Sequence, residues 1–221
     1  MVISFVPVLV IRFGQVELEL SNAVSSELLS QVKELIRHGK VSVNNAVVKT
    51  ADRKIDEKKD VVCVQGQTLV YRKFYYYMLN KPAGVVSATQ DKLSDTVISL
   101  LRPEDRRDDL FPVGRLDKDT EGLLLLTNDG ALAHRLLSPG KHVDKTYHVT
   151  IERALTAQDI QRLENGVDIG EDRPTLPAKV EILSPETELL LTIHEGKFHQ
   201  VKRMLFAVNN LVTALRRTAF G

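Results

Sequence analysis

The sequence has little cysteine, little excess charge and no long apolar run, and each shortage excludes a class of protein. Cys63 is the only cysteine among the 221 residues, so the chain cannot carry an internal disulfide framework. A single thiol fits the reducing cytosol, where we expect the protein to act. Cys63 lies in the apolar run 61–64, which favours a buried packing role over a nucleophilic one.

The chain also lacks an excess of positive or negative charge. The chain has 30 lysines and arginines against 29 aspartates and glutamates, so its formal net charge is +1. This balance excludes a polycation that would coat any nucleic acid. Binding to a nucleic acid would therefore depend on local basic patches.

Apolar runs are too short to predict a membrane helix. The most apolar segment, Met1 to Ile11, falls short of the ~20 residues that such a helix requires. It also lacks the basic start and the small-residue cleavage site of a signal peptide. We interpret it as a core strand and expect a cytoplasmic protein with no membrane partner.

The first part of the chain has the pattern of a small module with one helix and a hairpin. Ser25 to His38 carries apolar residues at helical spacing, with Ser25 or Ser26 as its cap. Asn44-Asn45 is a turn pair between short extended stretches, and Val61 to Val64 is typical of a further strand. We predict one domain over residues 1–70, with a boundary near Tyr71.

The remainder, residues 71–221, mixes strands and helices. The apolar pattern predicts strands at 74–79, 123–126, 146–151, 178–183 and 189–193. Helical spacing predicts helices at 93–101, 131–137, 156–165 and 200–208. Because strands outnumber helices and seldom alternate with them, we expect an α+β fold with a mixed, mainly antiparallel sheet.

The densest polar signal is the loop from Gly114 to Gly122, which contains Asp117, Asp119 and Glu121 and leads into the apolar strand 123–126. A strand in the core anchors such a loop while its carboxylates face outward, as in many catalytic sites. The spacing alone is equally consistent with a solvated turn whose acids only cap and solubilise.

Spacing argues against three kinds of ligand site. The segment from Asp117 begins like a calcium loop, but Asn128 stands at the twelfth position, where a bidentate Glu is required. The chain has neither a P-loop ending nor the Gly-x-Gly-x-x-Gly pattern. Three residues, instead of two, separate Glu195 from His199, so the zinc-protease motif is not met. We therefore expect no metal and no nucleotide cofactor.

Several segments in order resemble the signatures of the bacterial pseudouridine synthases that modify ribosomal RNA. They are Phe74 to Gly84 (FYYYMLNKPAG), Gly114 to Asp117 (GRLD), Lys145 to Tyr147 (KTY) and Glu195 to Met204 (EGKFHQVKRM). Separate motifs in register are more specific than any one alone. The resemblance implies an isomerase that needs no cofactor and acts on ribosomal RNA or a pre-ribosomal particle.

The N-terminal module is similar to an S4 RNA-binding domain through Val32 to Asn45 (VKELIRHGKVSVNN). This pairing is typical of the small-subunit-type branch, and Ala133 to Pro139 (AHRLLSP) resembles the 16S-type enzymes more than the 23S-type ones. The implied target is a 16S site of the uridine-516 type. The alternatives are a 23S enzyme of the same family and a non-catalytic RNA-binding or ribosome-assembly factor.

The resemblance implies a role for individual residues. Asp117 would be the catalytic carboxylate, either as nucleophile at C1′ or as base at C2′. Lys202 would lie beside it and keep it ionised, and Tyr147 would pack on the target base and assist proton removal at C5. The implied substrate-binding residues are Arg115, Leu116 and Leu215, and the implied RNA-binding residues of the first module are Arg37, Lys40, Arg53 and Lys54.

The chain departs from the family pattern at both ends. The Arg-Leu-Asp-Lys opening of an S4 domain is replaced by the apolar Met1 to Ile11, and the chain ends at Gly221, where relatives are expected to continue. Asp119 and Glu121 are expected to structure the loop. A hydrolase that uses Asp117 with Glu121 is a further alternative, which predicts release of free uracil or sugar. We expect a monomer.

Overall fold

The computed structural model describes residues 26–56, 58–69, 72–138, 140 and 143–221, and the chain divides into two compact units. Among the described residues, the smaller unit contains those up to Phe74 together with Arg107–Asp109, and the larger unit contains Tyr75–Arg106 and Leu110–Gly221. Three sequence predictions lie outside the described residues: the strand at Met1 to Ile11, the cap at Ser25 and the boundary at Tyr71. The domain limits 1–70 and 71–221 therefore stay predictions.

The smaller unit consists of one helix and a small antiparallel sheet. Its elements are α1 (Ser26–Arg37), β1 (Val41–Val43), β2 (Ala46–Val47), β3 (Val62–Val64) and β4 (Gln67–Thr68), with the strands in the order β2-β1-β3-β4. The β1–β2 turn has φ angles of 52° at Asn44 and 65° at Asn45. Asparagine tolerates these positive values, which a tight hairpin turn requires. The hairpin predicted from the asparagine pair is confirmed.

The core of the smaller unit is made by α1, β1, β3 and Val48, which follows β2. Ile36, Val41 and Val43 are buried there together with Val62. Cys63 is only partly buried, so the prediction of a buried cysteine is wrong. Successive side chains of a strand point to opposite faces, and Val62 takes the inward position in β3.

The larger unit is built on a seven-stranded sheet. Its strands are β5 (Tyr76–Lys81), β6 (Phe111–Pro112), β7 (Glu121–Thr127), β8 (Lys145–Ile151), β9 (Lys179–Ile182), β10 (Glu188–Ile193) and β11 (Val212–Phe220). They lie in the order β5-β7-β11-β8-β10-β9, and β6 pairs with β7. Among the described pairs β7 and β11 run parallel and the others antiparallel. The predicted α+β fold with a mixed, mainly antiparallel sheet is confirmed.

Three α-helices accompany this sheet: α2 (Gly130–Leu137), α3 (Ala157–Asn165) and α4 (Gln200–Ala207). Side-chain caps define where two of them begin. Asp129 accepts from the backbone N–H of Leu132, and Thr156 accepts from that of Asp159 in a reciprocal capping box. The helices predicted at 131–137, 156–165 and 200–208 are confirmed.

The helix predicted at 93–101 is wrong, because this segment is a series of turns. The Asp91 carboxylate accepts hydrogen bonds from two following backbone N–H groups, and Thr96 and Ser99 bond each other's backbone. Such local bonds compete with helical hydrogen bonding. Leu93 is 96% exposed, whereas Val97 and Leu101 are buried in the core, so the apolar residues of this segment do not form one buried helical face.

The core of the larger unit lies against the middle strands of the sheet. Leu124 and Leu126 of β7 and Leu189 and Leu191 of β10 are fully buried. The loop that enters β7 is therefore attached to a strand of the core. In the part of the chain that the structure describes, no helix is both long enough and apolar enough to cross a bilayer.

Candidate active site

Two glycines with positive φ shape the loop that enters β7. Gly114 has a φ of 75° and Gly122 a φ of 102°. A Cβ atom at Gly122 would lie 2.2 Å from the backbone oxygen of Arg217 on β11. Glycine therefore lets β7 and β11 approach closely, and the side chains of β11 come next to the loop.

Lys81, at the end of β5, holds the same loop from inside the protein. It is fully buried, and its ammonium donates to the backbone oxygens of Pro82 at 3.0 Å, Lys118 at 3.2 Å and Thr120 at 2.8 Å. Burial lowers the pKa of Lys81, whereas the nearby carboxylates of the loop act in the opposite direction. The turn that follows Asp117 is thus fixed by a buried cation, a role that sequence reasoning did not assign to Lys81.

Ser87 holds the other side of the loop. Its hydroxyl accepts from the backbone N–H of Leu116 at 3.0 Å and donates to the backbone oxygen of the same residue at 2.8 Å. Leu116 is 5% exposed and packs in the core. Because the backbone is held on both sides of Asp117, the fold sets the position of its carboxylate.

Asp117 lies between a lysine and a histidine of the α4 region. The Nζ atom of Lys202 is 3.5 Å from its Oδ2, and the Nε2 atom of His199 is 3.4 Å from its Oδ1. The Asp117 side chain is 26% exposed, so the ion pair is partly shielded from water. Lys202 lies beside Asp117 as the resemblance implies, whereas the position of His199 was not anticipated.

Lys202 has a second and closer partner in the loop. Its Nζ atom lies 2.6 Å and 2.8 Å from the two carboxylate oxygens of Asp119. The hydrogen bond from Lys202 and the charge of Lys202 lower the pKa of Asp119. The Asp119 side chain is 72% exposed, so solvent screens this pair strongly. Lys202 is therefore shared by two carboxylates, and Asp119 helps to hold it near Asp117.

Tyr147 of β8 is buried in the wall of the cavity that Asp117 also lines. Burial raises the pKa of its phenol, and the charge of Asp117 acts in the same direction. The charge of Arg217 and a hydrogen bond with it lower the pKa, but burial is the larger effect. The phenol is therefore protonated at neutral pH.

The cavity beside Asp117 has a volume of about 510 Å³, within the range of small-molecule pockets. Arg115, Leu116 and Leu215 line it together with Asp117 and Tyr147. Arg115 is exposed, whereas Leu116 and Leu215 are buried. The structure therefore brings the residues implied for substrate binding and catalysis to one place, since Lys202 contacts Asp117.

Further cations that sequence reasoning missed lie in the wall of this cavity. Lys145 and Arg217 line it and are 8% and 3% exposed. Both lie against the ring of Phe220, with Nζ of Lys145 at 5.5 Å and the guanidinium carbon of Arg217 at 4.8 Å from its centroid. The alternation of side chains along a strand could have revealed both cations. Lys145 shares a face of β8 with Tyr147, and Arg217 shares a face of β11 with Leu215.

The basic residues implied for RNA binding in the smaller unit are all on the surface. Arg37, Lys40, Arg53 and Lys54 are exposed. Arg37 forms an ion pair with Glu34, which occupies part of its donor capacity. Exposed side chains of this kind can contact phosphate oxygens without reading base sequence.

Two family models match the chain, one in each unit. The family model described as RNA pseudouridylate synthase matches residues 75–207, and the S4 domain model matches residues 28–62. A solved structure described as a pseudouridylate synthase is 36% identical, has a TM-score of 0.63, and covers 87% of this chain and 82% of its own.

Curated relatives match over most of both chains. An uncharacterized RNA pseudouridine synthase of Bacillus subtilis is 50% identical over 194 residues, which are 86% of this chain and 81% of the relative. The ribosomal small subunit pseudouridine synthase A of Vibrio cholerae is 41% identical over 194 residues, which are 86% and 82% of the two chains. That of Escherichia coli is 39% identical over 187 residues, which are 84% and 80%. The chain therefore belongs to the RNA pseudouridylate synthase family, as an isomerase that acts on RNA, and it carries an S4 domain ahead of the synthase domain.

Proposed function

We propose that the protein converts one uridine of small-subunit ribosomal RNA to pseudouridine, at a site of the uridine-516 type, with Asp117 as the catalytic carboxylate. The names of the Vibrio cholerae and Escherichia coli relatives support the choice of RNA. The observation that carries the proposal is the placement of Asp117, which lines the cavity between Lys202 and His199.

The proposed reaction needs no oxidant, reductant or group donor. The C1′–N1 bond breaks and the electron pair leaves with the uracil. The uracil turns and C5 bonds to C1′, after which the proton on C5 is lost and N1 gains one. Asp117 either bonds to C1′ or takes a proton from C2′ while the base is detached. The product is an isomer of the substrate, so we propose that the enzyme works without a cofactor.

Lys202 is proposed to orient the Asp117 carboxylate. Its Nζ atom lies 3.5 Å from a carboxylate oxygen and attracts it electrostatically, and the pair is partly shielded from water. Lys202 lies closer to Asp119 than to Asp117. The Asp117 carboxylate is therefore proposed to keep lone pairs that can react with the sugar of the target uridine.

Tyr147 is proposed to pack against the uracil. Its phenol is buried, protonated at neutral pH and part of the cavity wall, which favours a packing and donating role. Leu116 and Leu215 would add apolar wall on which the ring lies.

A uridine in folded RNA is stacked, so the enzyme must turn it out of the helix at a cost of a few kcal/mol. Arg115 is proposed to fill the vacated space or to contact phosphate, because it is exposed and lies at the cavity. Arg37, Lys40, Arg53 and Lys54 of the S4 domain are proposed to bind the RNA backbone outside the target site.

The test uses transcripts of small-subunit and large-subunit ribosomal RNA and partly assembled small subunits. Pseudouridine is mapped by carbodiimide derivatisation and reverse transcription. We expect one modified uridine in the small-subunit RNA. We expect no product from Asp117→Asn, with RNA affinity nearly unchanged, and a loss of about 10-fold or less from Asp119→Asn, because removing an exposed ion-pair partner costs ~1 kcal/mol.

The two variants remove the same charge from the same loop, so Asp119→Asn is the matched control. Product from Asp117→Asn at the wild-type rate would contradict the assignment of the carboxylate. Binding without pseudouridine from the wild-type protein would favour an assembly factor, and release of free uracil would favour a hydrolase. Modification of large-subunit RNA alone would correct the substrate.

A further inference from the structure

Arg217 is a buried cation in the wall of the cavity. It lies on β11 between β7 and β8, and its Nε atom donates to the backbone oxygen of Leu123 at 2.7 Å. Its guanidinium lies against the face of Phe220 and hydrogen-bonds with Tyr147. The cation is thus fixed at the place where Tyr147 and Asp117 meet the cavity.

The donors of Arg217 are not all used. In the part of the chain that the structure describes, its Nη2 atom is buried and has no hydrogen-bond partner. Buried donors are nearly always paired, because an unpaired one loses its hydrogen bond to water. No described carboxylate forms an ion pair with Arg217 or with its neighbour Lys145, whose Nζ atom donates to the backbone oxygen of Val143. This part of the wall therefore carries two cations that form no ion pair with a described carboxylate.

Cleavage of the C1′–N1 bond creates the matching charge. The electron pair of that bond leaves with the base, so the detached uracil is an anion whose charge is spread over N1 and the two carbonyl oxygens. Fixed cations in a water-poor site stabilise such charge more than water does.

We infer that Arg217 stabilises the negative charge of the detached uracil, with its Nη2 donor directed to a carbonyl oxygen of the base. The inference rests on the proposed function, because it requires Asp117 and Tyr147 to face the target uridine. Lys145 adds positive charge from the same wall. No proton leaves Arg217, and the guanidinium holds the base electrostatically until C5 has bonded to C1′.

The neighbouring residue Arg216 provides a matched control on the same strand. Its side chain is 50% exposed, lies 3.8 Å from Glu121 and donates to Asn80 at 3.1 Å. It is not part of the cavity wall. Arg216→Gln and Arg217→Gln therefore remove the same charge one position apart, on opposite faces of β11.

The experiment compares RNA with uridine at the target position and RNA with 5-fluorouridine there. Fluorine withdraws electron density, so the detached fluorouracil anion depends less on stabilisation by the protein. Consumption of the starting nucleoside is measured under single-turnover conditions with saturating enzyme, using nucleoside digestion and mass spectrometry. Thermal melting and RNA affinity are measured on each variant.

With uridine we expect Arg217→Gln to slow the reaction about 100-fold, as for loss of one preorganised donor at a developing charge. With 5-fluorouridine we expect a loss of about 10-fold, because less charge remains to be stabilised. Arg217→Lys keeps the charge but lacks the Nη2 donor, so it should recover only part of the rate with uridine and should still lose more with uridine than with 5-fluorouridine. Arg216→Gln should change both rates by less than about 3-fold, as for an exposed ion-pair residue.

Equal losses on the two RNAs, or no loss on either, would overturn the inference. If Arg217→Gln does not fold, the ratio of the two rates is measured on Arg217→Lys, which lacks the Nη2 donor, and a ratio equal to that of the wild type also overturns it. Asp117→Asn is run in parallel. If Asp117→Asn is inactive on both RNAs, the proposed function is supported even when the inference about Arg217 fails.

Discussion

His199 places its Nε2 atom 3.4 Å from Oδ1 of Asp117. His199 directly precedes α4 and has a φ of 48°, in the left-handed region that residues other than glycine seldom adopt. Its ring stacks on that of Phe198 with centroids 3.7 Å apart. The backbone geometry and the stacking hold the imidazole at the carboxylate.

We expect His199→Gln to lower kcat about 3- to 10-fold, because a partly exposed ion-pair or hydrogen-bond partner of the carboxylate is worth up to ~1 kcal/mol. Single-turnover rates of uridine conversion measure the effect. His194→Gln is the control, since His194 bonds Asp144 instead of Asp117. The same rate for His199→Gln and for the wild-type protein would show that Asp117 does not depend on the imidazole.

Lys81→Met is expected to destabilise the protein by about 2–3 kcal/mol, because three backbone oxygens lose a charged donor inside the core. Urea unfolding measures the loss. Lys118→Met is the control and should change stability by less than ~0.5 kcal/mol, because its ammonium donates to the Ser94 hydroxyl in an exposed contact. A similar small effect for both variants would refute the role of Lys81 in holding the loop.

Gly122→Ala is expected to cost about 3 kcal/mol or more, because the new methyl group would overlap the Arg217 backbone oxygen and the φ of 102° disfavours alanine. Thermal melting measures the cost, and activity should fall with it. In Gly130→Ala the new Cβ meets nothing within 4 Å. Because Gly130 begins α2, this control should be neutral or slightly stabilising.

Because the phenol of Tyr147 is buried, we expect the stability of the protein to change at high pH. Burial raises the pKa of its phenol above the ordinary 10.0, so the unfolded chain loses this proton before the folded protein does. The contribution of the protonated phenol is therefore fully present below pH 10 and is lost as the pH rises through the folded value.

The measurement is the free energy of unfolding in urea, compared between the wild-type protein and Tyr147→Phe from pH 8 to pH 11. The advantage of the wild type should shrink above pH 10.0, the ordinary value for tyrosine. Tyr76, whose pKa is raised mainly by its hydrogen bond to Asp129, is present in both proteins and cancels. A difference that grows with pH would contradict the buried, protonated phenol.

Local pattern was sufficient for most of the fold. The strands predicted at 146–151 and 189–193 and the helices predicted at 131–137 and 156–165 depend on local apolar spacing, and the structure has them there. The turns at 93–101 were missed because serine, threonine and aspartate side chains bond to the nearby backbone, which apolar spacing does not reveal.

The sequence pattern did not predict β11, for a different reason. Its segment Leu215-Arg216-Arg217 carries charge on both faces, so it does not have the pattern of a central strand. Arg217 can be buried there because Leu123, Tyr147 and Phe220 surround its guanidinium. Those partners come from β7, β8 and β11 itself, and strand pairing alone brings them together.

The sequence by itself determined the family, the class of fold and the motif that contains Asp117, because these depend on residue types at fixed short spacings. Tertiary structure decided which cations meet that carboxylate. Lys202 and His199 reach it from α4 and the turn before it, while Lys81 holds its loop from β5 and Arg217 lines its cavity from β11. These contacts join segments far apart in the chain, and they form only when the sheet and the core have closed around them.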